Sequence, residues 1–371
     1  MKKIKILFDY SPAYKPNKTG IPMFVSELFT TLKDIEEINI EKTFDISQII
    51  PRKPHKIFRF FEQLLYHNIY LPLKLYFGNY DFYVENQYMF IPLFKPKNTQ
   101  IINMVFDIGL VLFDTIHTKK HIDNWRNKFP KSLNNTDIII TLSESSQKDI
   151  LQYMHNTKQI PKPIDYIYAD AKPIYLQKNE CDRVLNKFNI SNDYFLFLGT
   201  LEPRKNPLNL LKAFNLFKQN THSNIKLVFA GKKGWQYQDV LTYIDKEALQ
   251  NEVLFTGYIS DHEKYALLQK AKAFLFLSLY EGFGIPVLEA LKLGTPTLVS
   301  DIPVFHELFE DNVLYASTND MEDIADKMSQ VYIHPITIDT TLLEKFSWEM
   351  SANKFITILT KHFNTKTKKF N

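Results

Sequence analysis

The sequence predicts an α/β protein of two domains, each a parallel sheet with helices on both faces. Three observations lead there. Apolar runs of strand length, at residues 3–8, 137–142, 194–198 and 273–277, alternate with segments of helical period through both halves of the chain. At 371 residues the chain is long enough to give each of two domains its own core. Several strands end in glycine-bearing loops that lead into helices, and ligands of open α/β sheets bind at those carboxyl ends.

Bulk properties narrow the class. Hydrophobic residues at 45% and charged residues at 23% are ordinary for a soluble globular protein. No apolar run approaches the ~20 residues of a membrane span. The first residues mimic a signal peptide, but Asp9 cuts the apolar segment short, so they read as the first strand. A lone cysteine, Cys181, excludes an intramolecular disulfide and fits a reducing cytoplasm. Residues 1–180 carry 24 Lys/Arg against 19 Asp/Glu, the remainder 21 against 22. That imbalance is too weak for nucleic acid. It suits a first domain that meets an anionic membrane or a phosphorylated acceptor.

The stretch 277–291 organises the rest. After the buried strand at 273–277 comes a loop with Gly282 and Gly284, then a helix opened by Pro286 and ended by Gly294. The glycines let backbone approach a ligand or take positive φ. The N–H groups of Phe283, Gly284 and Ile285 would point from the helix N-terminus towards phosphate or an electron-rich oxygen. Glu281 would accept from sugar hydroxyls. Glu289, placed in the first helical turn, would suit a ribose diol better than a phosphate. The spacing alone equally describes a capped helix with two solvated glutamates.

The wording of this stretch goes further than its spacing. Ser278-Leu279-Tyr280-Glu281-Gly282-Phe283-Gly284-Ile285-Pro286-Val287-Leu288-Glu289-Ala290-Leu291 resembles the donor-site signature of retaining glycosyltransferases of the GT-B fold, in the large branch that builds bacterial surface polysaccharides. The likeness continues through Gly294-Thr295-Pro296 and Val299-Ser300-Asp301. A second match is Gly199-Thr200-Leu201-Glu202-Pro203-Arg204-Lys205-Asn206-Pro207. The resemblance implies two Rossmann-like domains whose parallel sheets face across a cleft. These would be an acceptor domain at 1–170, a nucleotide-sugar domain at 190–345, and a last helix at 346–371 that returns to the first domain. Arg204 and Lys205 would neutralise the donor diphosphate, whose charge grows as the glycosidic bond breaks. Gly231 and Tyr258, ending two strands, resemble the turns that cradle the nucleotide base.

The first half matches more loosely. Gly20, before a helix at 22–32, resembles the glycine loop beside donor phosphates and acceptor. A strand at 101–106 ends, in the family, in a His-Asp pair near the outer hydroxyl of the donor sugar. Here the pair is Phe106-Asp107. Phe106 is open to three readings: a pocket for a 6-deoxy sugar, a loss of activity, or a core residue. Residues 52–66 interleave Arg52, Lys53, Lys56 and Arg59 with aromatic and aliphatic residues. They fit a helix lying on an anionic bilayer or one packed on the core. His117 and His121 are four apart, but with no third ligand evident they read as solvated histidines. Ser143 is an N-cap. Residues 157–192, with three prolines and little periodicity, read as the interdomain linker.

The resemblance therefore implies a hexosyltransferase taking a GDP-, UDP- or dTDP-linked sugar, mannose or a 6-deoxyhexose among them, to a glycan or lipid-linked acceptor. The implied catalytic residues are Glu281, Arg204, Lys205 and Asp107. No cofactor is implied, and no metal, because the chain has no Asp-x-Asp triplet. Its place would be the cytoplasm, or the inner face of the cell membrane. An epimerase on the same fold and a silent donor-binding subunit are the alternatives.

Overall fold

A computed structural model describes residues 3–14, 20–44, 66–87, 92, 94–114 and 117–370. The chain divides into two compact units. The first comprises 1–108, 124–169 and 346–371; the second comprises 109–123 and 170–345.

The first unit is a six-stranded parallel sheet in the order β2-β1-β3-β4-β5-β6. Its strands are β1 (Ile4–Phe8), β2 (Ile38–Lys42), β3 (Phe82–Glu85), β4 (Gln100–Met104), β5 (Ile138–Thr141) and β6 (Ile164–Tyr166). The central strands are largely apolar and buried because helices cover both faces; all four residues of β3 and of β5 are buried. The helix Ile21–Leu32 starts at Gly20, which takes φ 62, and Ser143 caps the helix Glu144–Asn156 by accepting from the Ser146 amide. The last helix, Trp348–Phe370, belongs to this unit. Trp348 is fully buried, with its ring edge-on to Phe24 at 5.4 Å.

The second unit has β7 (Tyr194–Leu198), β8 (Lys226–Ala230), β9 (Val253–Gly257), β10 (Ala273–Phe276), β11 (Thr297–Ser300) and β12 (Leu314–Ala316). Their order, β12-β11-β10-β7-β8-β9, is that of a dinucleotide-binding sheet. The sheet reverses between β7 and β10, and at such a switch point the flanking loops part and leave a crevice beyond the strand ends. The segment 109–123 joins this unit through Phe113, whose ring lies 5.4 Å from that of Tyr280.

Several expectations need correction. The presumed linker at 157–192 is structured: it contributes β6, paired with β5, and the helix Lys178–Lys187, closed by a capping box between Gln177 and Glu180. The last helix continues to Phe370 rather than ending near His362. Residues 52–65 of the candidate membrane segment lie outside the described residues, and only Tyr66 of it can be placed.

Candidate functional site

The two loops at the second unit's switch point carry the strongest motifs. After β7 the chain turns through Pro203–Lys205 and reaches Asn206, which takes a left-handed φ of 57 and donates its side-chain amide to the Thr318 carbonyl at 2.8 Å. The loop after β10 is tied to this turn, because the Leu279 amide donates to the Arg204 carbonyl at 2.8 Å.

That tie brings three charged side chains together. Lys205 Nζ donates to Glu281 Oε1 at 2.5 Å, and Arg204 Nη1 donates to the same oxygen at 3.1 Å. Arg204 also donates to the Tyr280 carbonyl at 3.2 Å, and its Nε lies 3.4 Å from Glu202 Oε1. Lys205 and Glu281 side chains are only 13% and 12% exposed, while Arg204 is 24% exposed. Burial alone would raise the Glu281 carboxyl, but Lys205 and Arg204 outweigh it and hold it down at about 2. Burial, with Arg204 beside it, draws Lys205 below its usual range, and Glu281 only partly offsets this. The carboxylate thus stays ionised, and it fixes both cations at the switch point.

Beside it, three strand-end loops are stitched edge to edge. The Gly199 amide donates to the Ala230 carbonyl at 3.0 Å, Leu201 to Lys232 at 2.9 Å, and Gly231 to Gly257 at 2.9 Å. Gly231 is required here, since a Cβ on it would stand 2.0 Å from the Gly199 carbonyl oxygen. Tyr258, 54% exposed, follows Gly257, with Lys232 Nζ over its ring at 4.7 Å.

The loop that precedes the helix Ile285–Lys292 is partly as expected. Gly284 takes φ 107, and a Cβ there would meet the Phe305 ring at 2.8 Å. Gly282, Phe283 and Gly284 are buried, and Ile285 is half-buried. Glu289 departs from expectation: it lies one residue beyond the first turn and is 2% exposed. Its Oε1 accepts from Lys264 Nζ at 2.6 Å and Tyr265 Oη at 3.2 Å. Burial raises the Glu289 carboxyl, and Lys264 only partly compensates. Lys264 was not legible in the sequence, because nothing in the spacing links helix Asp261–Lys270 to a glutamate 25 positions on.

The remaining predicted residues belong to the first unit. Gly20 begins its first helix, and Asp107, half-buried, follows β4. Phe106 is 5% exposed and packs edge-on against Phe24, at 5.3 Å between ring centroids. Its ring is among the buried apolar side chains, as the third of the readings left open by the sequence has it. A buried polar cluster at the carboxyl ends of β1 and β3 was not among the expectations. Asp9 accepts from the Ser11 amide at 3.0 Å and hydroxyl at 2.6 Å, while Glu85 accepts from Tyr83 Oη at 2.7 Å and the Gln87 amide at 2.8 Å. Both carboxyls are fully buried and raised by burial, Glu85 well above its ordinary value. An acidic residue closing each of two apolar runs was the available signal.

His117 and His121 stack with centroids 4.1 Å apart, and Nδ1 of His117 accepts from the Thr118 amide. Among the described residues no group of three His, Cys, Asp or Glu side chains is placed to hold a metal, and no helix is long and apolar enough to cross a membrane.

Comparison with known proteins adds likeness in sequence and in fold. The sequence model of the glycosyl transferases group 1 family matches residues 180–346. O-antigen chain mannosyltransferase B of Escherichia coli is 26% identical over 284 residues, which is 74% of this chain and 67% of that protein. A serotype-specific mannosyltransferase of Escherichia coli is 27% identical over 191 residues, 51% of this chain but 23% of its own length. The chain thus spans about two thirds of the first relative and under a quarter of the second. Among solved structures, a sucrose-phosphate synthase from Thermosynechococcus elongatus superposes with a TM-score of 0.74, at 15% identity over 98% of this chain and 100% of that one. An Anabaena protein solved with UDP and glucose gives 0.63 at 14% identity, over 96% and 100%. The Arg204–Lys205–Glu281 constellation lies inside the segment that matches the glycosyl transferases group 1 model, and the chain has the GT-B fold of its structural neighbours.

Proposed function

We propose that the protein transfers mannose from a nucleoside diphosphate donor, with retention at the anomeric carbon, to a glycan or lipid-linked acceptor in surface-polysaccharide synthesis. The observation that carries this reading is the pair of cations, Arg204 and Lys205, held by the Glu281 carboxylate at the switch point of the second sheet. As the glycosidic C–O bond breaks, negative charge grows on the departing diphosphate, and two positioned cations stabilise it without reorganisation. The acceptor hydroxyl attacks the same face of the sugar, and its proton passes to the leaving phosphate oxygen. Glu281 orients the sugar, Glu289 the ribose diol, and the turns at Gly231 and Tyr258 border the base. Asp107 and Gly20 keep the roles that the family resemblance implies.

Mannose is preferred because two relatives are named mannosyltransferases, and because Phe106 points into core packing rather than supplying a reason for a 6-deoxy sugar. The test is incubation with a panel of GDP-, UDP- and dTDP-sugars and a lipid-linked or glycan acceptor. Free nucleoside diphosphate and an acceptor lengthened through an α-linked mannose are the expected products. Conversion of the donor to an epimer, or binding without turnover, would overturn the reading.

A further inference from the structure

Two aromatic contacts hold the segment 109–123 on the second unit. The Phe113 ring lies 5.4 Å from that of Tyr280, in the loop after β10. The His117 ring lies 6.0 Å from that of Trp235, in the loop after β8. In the sheet order β10-β7-β8 these loops stand on either side of the turn after β7, which carries Arg204 and Lys205. Phe113 is thus fixed beside the charged site, by a segment that follows β4 of the first unit in the chain.

Within the short helix Gly109–Leu112 the side chain of Val111 is buried, while Leu112 is 39% exposed. Phe113, whose amide donates to the Gly109 carbonyl at 3.0 Å, is 37% exposed. Single exposed apolar side chains are ordinary on a protein surface. This one adjoins a second ring, half-buried Tyr280, whose carbonyl accepts from Arg204 Nη1 at 3.2 Å and whose next residue is Glu281. An exposed aromatic ring therefore packs one residue away from the carboxylate that holds both cations.

That juxtaposition suits one class of molecule. A pyranose carries hydroxyls round its rim and C–H groups on its faces. The C–H groups are weakly positive and meet the negative face of an aromatic ring, while the rim needs polar or charged partners. Of the reactants proposed above, the nucleobase is assigned to the turns at Gly231 and Tyr258, and the donor sugar to Glu281. The acceptor is the one still without a side chain that touches its ring. We propose that Phe113 and Tyr280 form the platform on which the terminal sugar of the acceptor stacks, so that the acceptor is recognised as a pyranose through its C–H face. That this sugar is the acceptor rests on the transfer reaction; that the platform holds a sugar does not.

The test begins with binding, which needs no turnover. Saturation-transfer NMR on the full chain with methyl α-D-mannopyranoside should show transfer to the ring C–H protons of the glycoside. Phe113→Ala and Phe113→Leu should each weaken binding about fivefold, and Phe113→Tyr should keep it, since the ring and not apolar bulk makes the contact. Absence of transfer with the wild type overturns the proposal, and so does a Phe113→Leu variant that binds as well as the wild type. Kinetics then separate the platform from the reaction. In transfer assays Phe113→Ala should raise the acceptor KM by the same factor and the donor KM by much less. An acceptor KM that does not move, or a rise confined to the donor KM, overturns the platform and leaves transfer standing. A protein that binds the glycoside through Phe113 but releases no diphosphate from any donor keeps the platform as a sugar site and overturns the transfer reaction.

Discussion

Glu281 Oε1 lies 2.5 Å from Lys205 Nζ, and both side chains are almost out of water. This contact gives Glu281 a structural task besides any contact with substrate. Removing one member of a buried ion pair leaves the other charge uncompensated, at a cost on the order of 3 kcal/mol. Glu281→Ala should therefore abolish turnover and also lower the thermal midpoint markedly. Lys205→Ala, which leaves Glu281 paired with Arg204, should abolish turnover with the smaller loss of stability. Calorimetry alongside product assays checks both. Equal stability losses in the two variants would refute this division of labour.

A second prediction concerns Gly284. Alanine there must hold φ 107 and meet the Phe305 ring at 2.8 Å. We expect Gly284→Ala to lose about 1–3 kcal/mol of stability. Adding Phe305→Leu should return part of it, because the clash is relieved but the backbone strain is not. Denaturant unfolding of the single and double variants measures the difference, and no recovery in the double variant would mean that the ring contact is irrelevant.

A third follows from Glu85. Its folded-state pKa is raised well above the ordinary carboxylate value, chiefly by burial and further by Asp9. A group raised in this way contributes stability at pH below its unfolded pKa and loses that contribution as pH rises through the folded value. Glu85→Gln, with no proton to lose, should gain on the wild type as pH is raised. Thermal midpoints across a pH series give the comparison. Glu281 has the opposite sign: its contribution is present above the unfolded pKa and is lost as pH falls towards about 2. Parallel pH curves for wild type and Glu85→Gln would count against the assignment.

Phe106 supplies the fourth. Its ring packs against Phe24, so Phe106→Ala should cost about 3–5 kcal/mol through the cavity left behind. Phe106→His should destabilise the protein without shifting donor preference. Ratios of kcat/KM for hydroxylated and 6-deoxy donors decide this, and a shift towards hydroxylated donors would restore a sugar-facing role.

Particular residues show how far the sequence could be read. Tyr194–Leu198 was legible as a strand because all five residues are buried and apolar, and Glu281 with Arg204-Lys205 because their local wording is distinctive. Local pattern could not reveal the pairing of Lys264 with Glu289, which depends on how two helices pack. Nor could it find β6, three half-buried residues including an aspartate, or β2, an edge strand rich in charge. Phe106 stayed ambiguous for the same reason. Its position next to Asp107 left a pocket and a core role both open, and only the tertiary structure supplies its neighbour Phe24.

The first unit is completed by Trp348, fully buried against Phe24, yet some 180 residues separate it from the rest of that unit in the chain. At roughly 5–20 residues per second of translation, the nascent amino-terminal half waits on the order of 10–40 s for the tryptophan that closes its core. Over that interval the second unit emerges with nearly all of its own segments in hand. The later-synthesised half thus has its segments assembled without waiting, while the earlier half completes its core only when the last helix arrives.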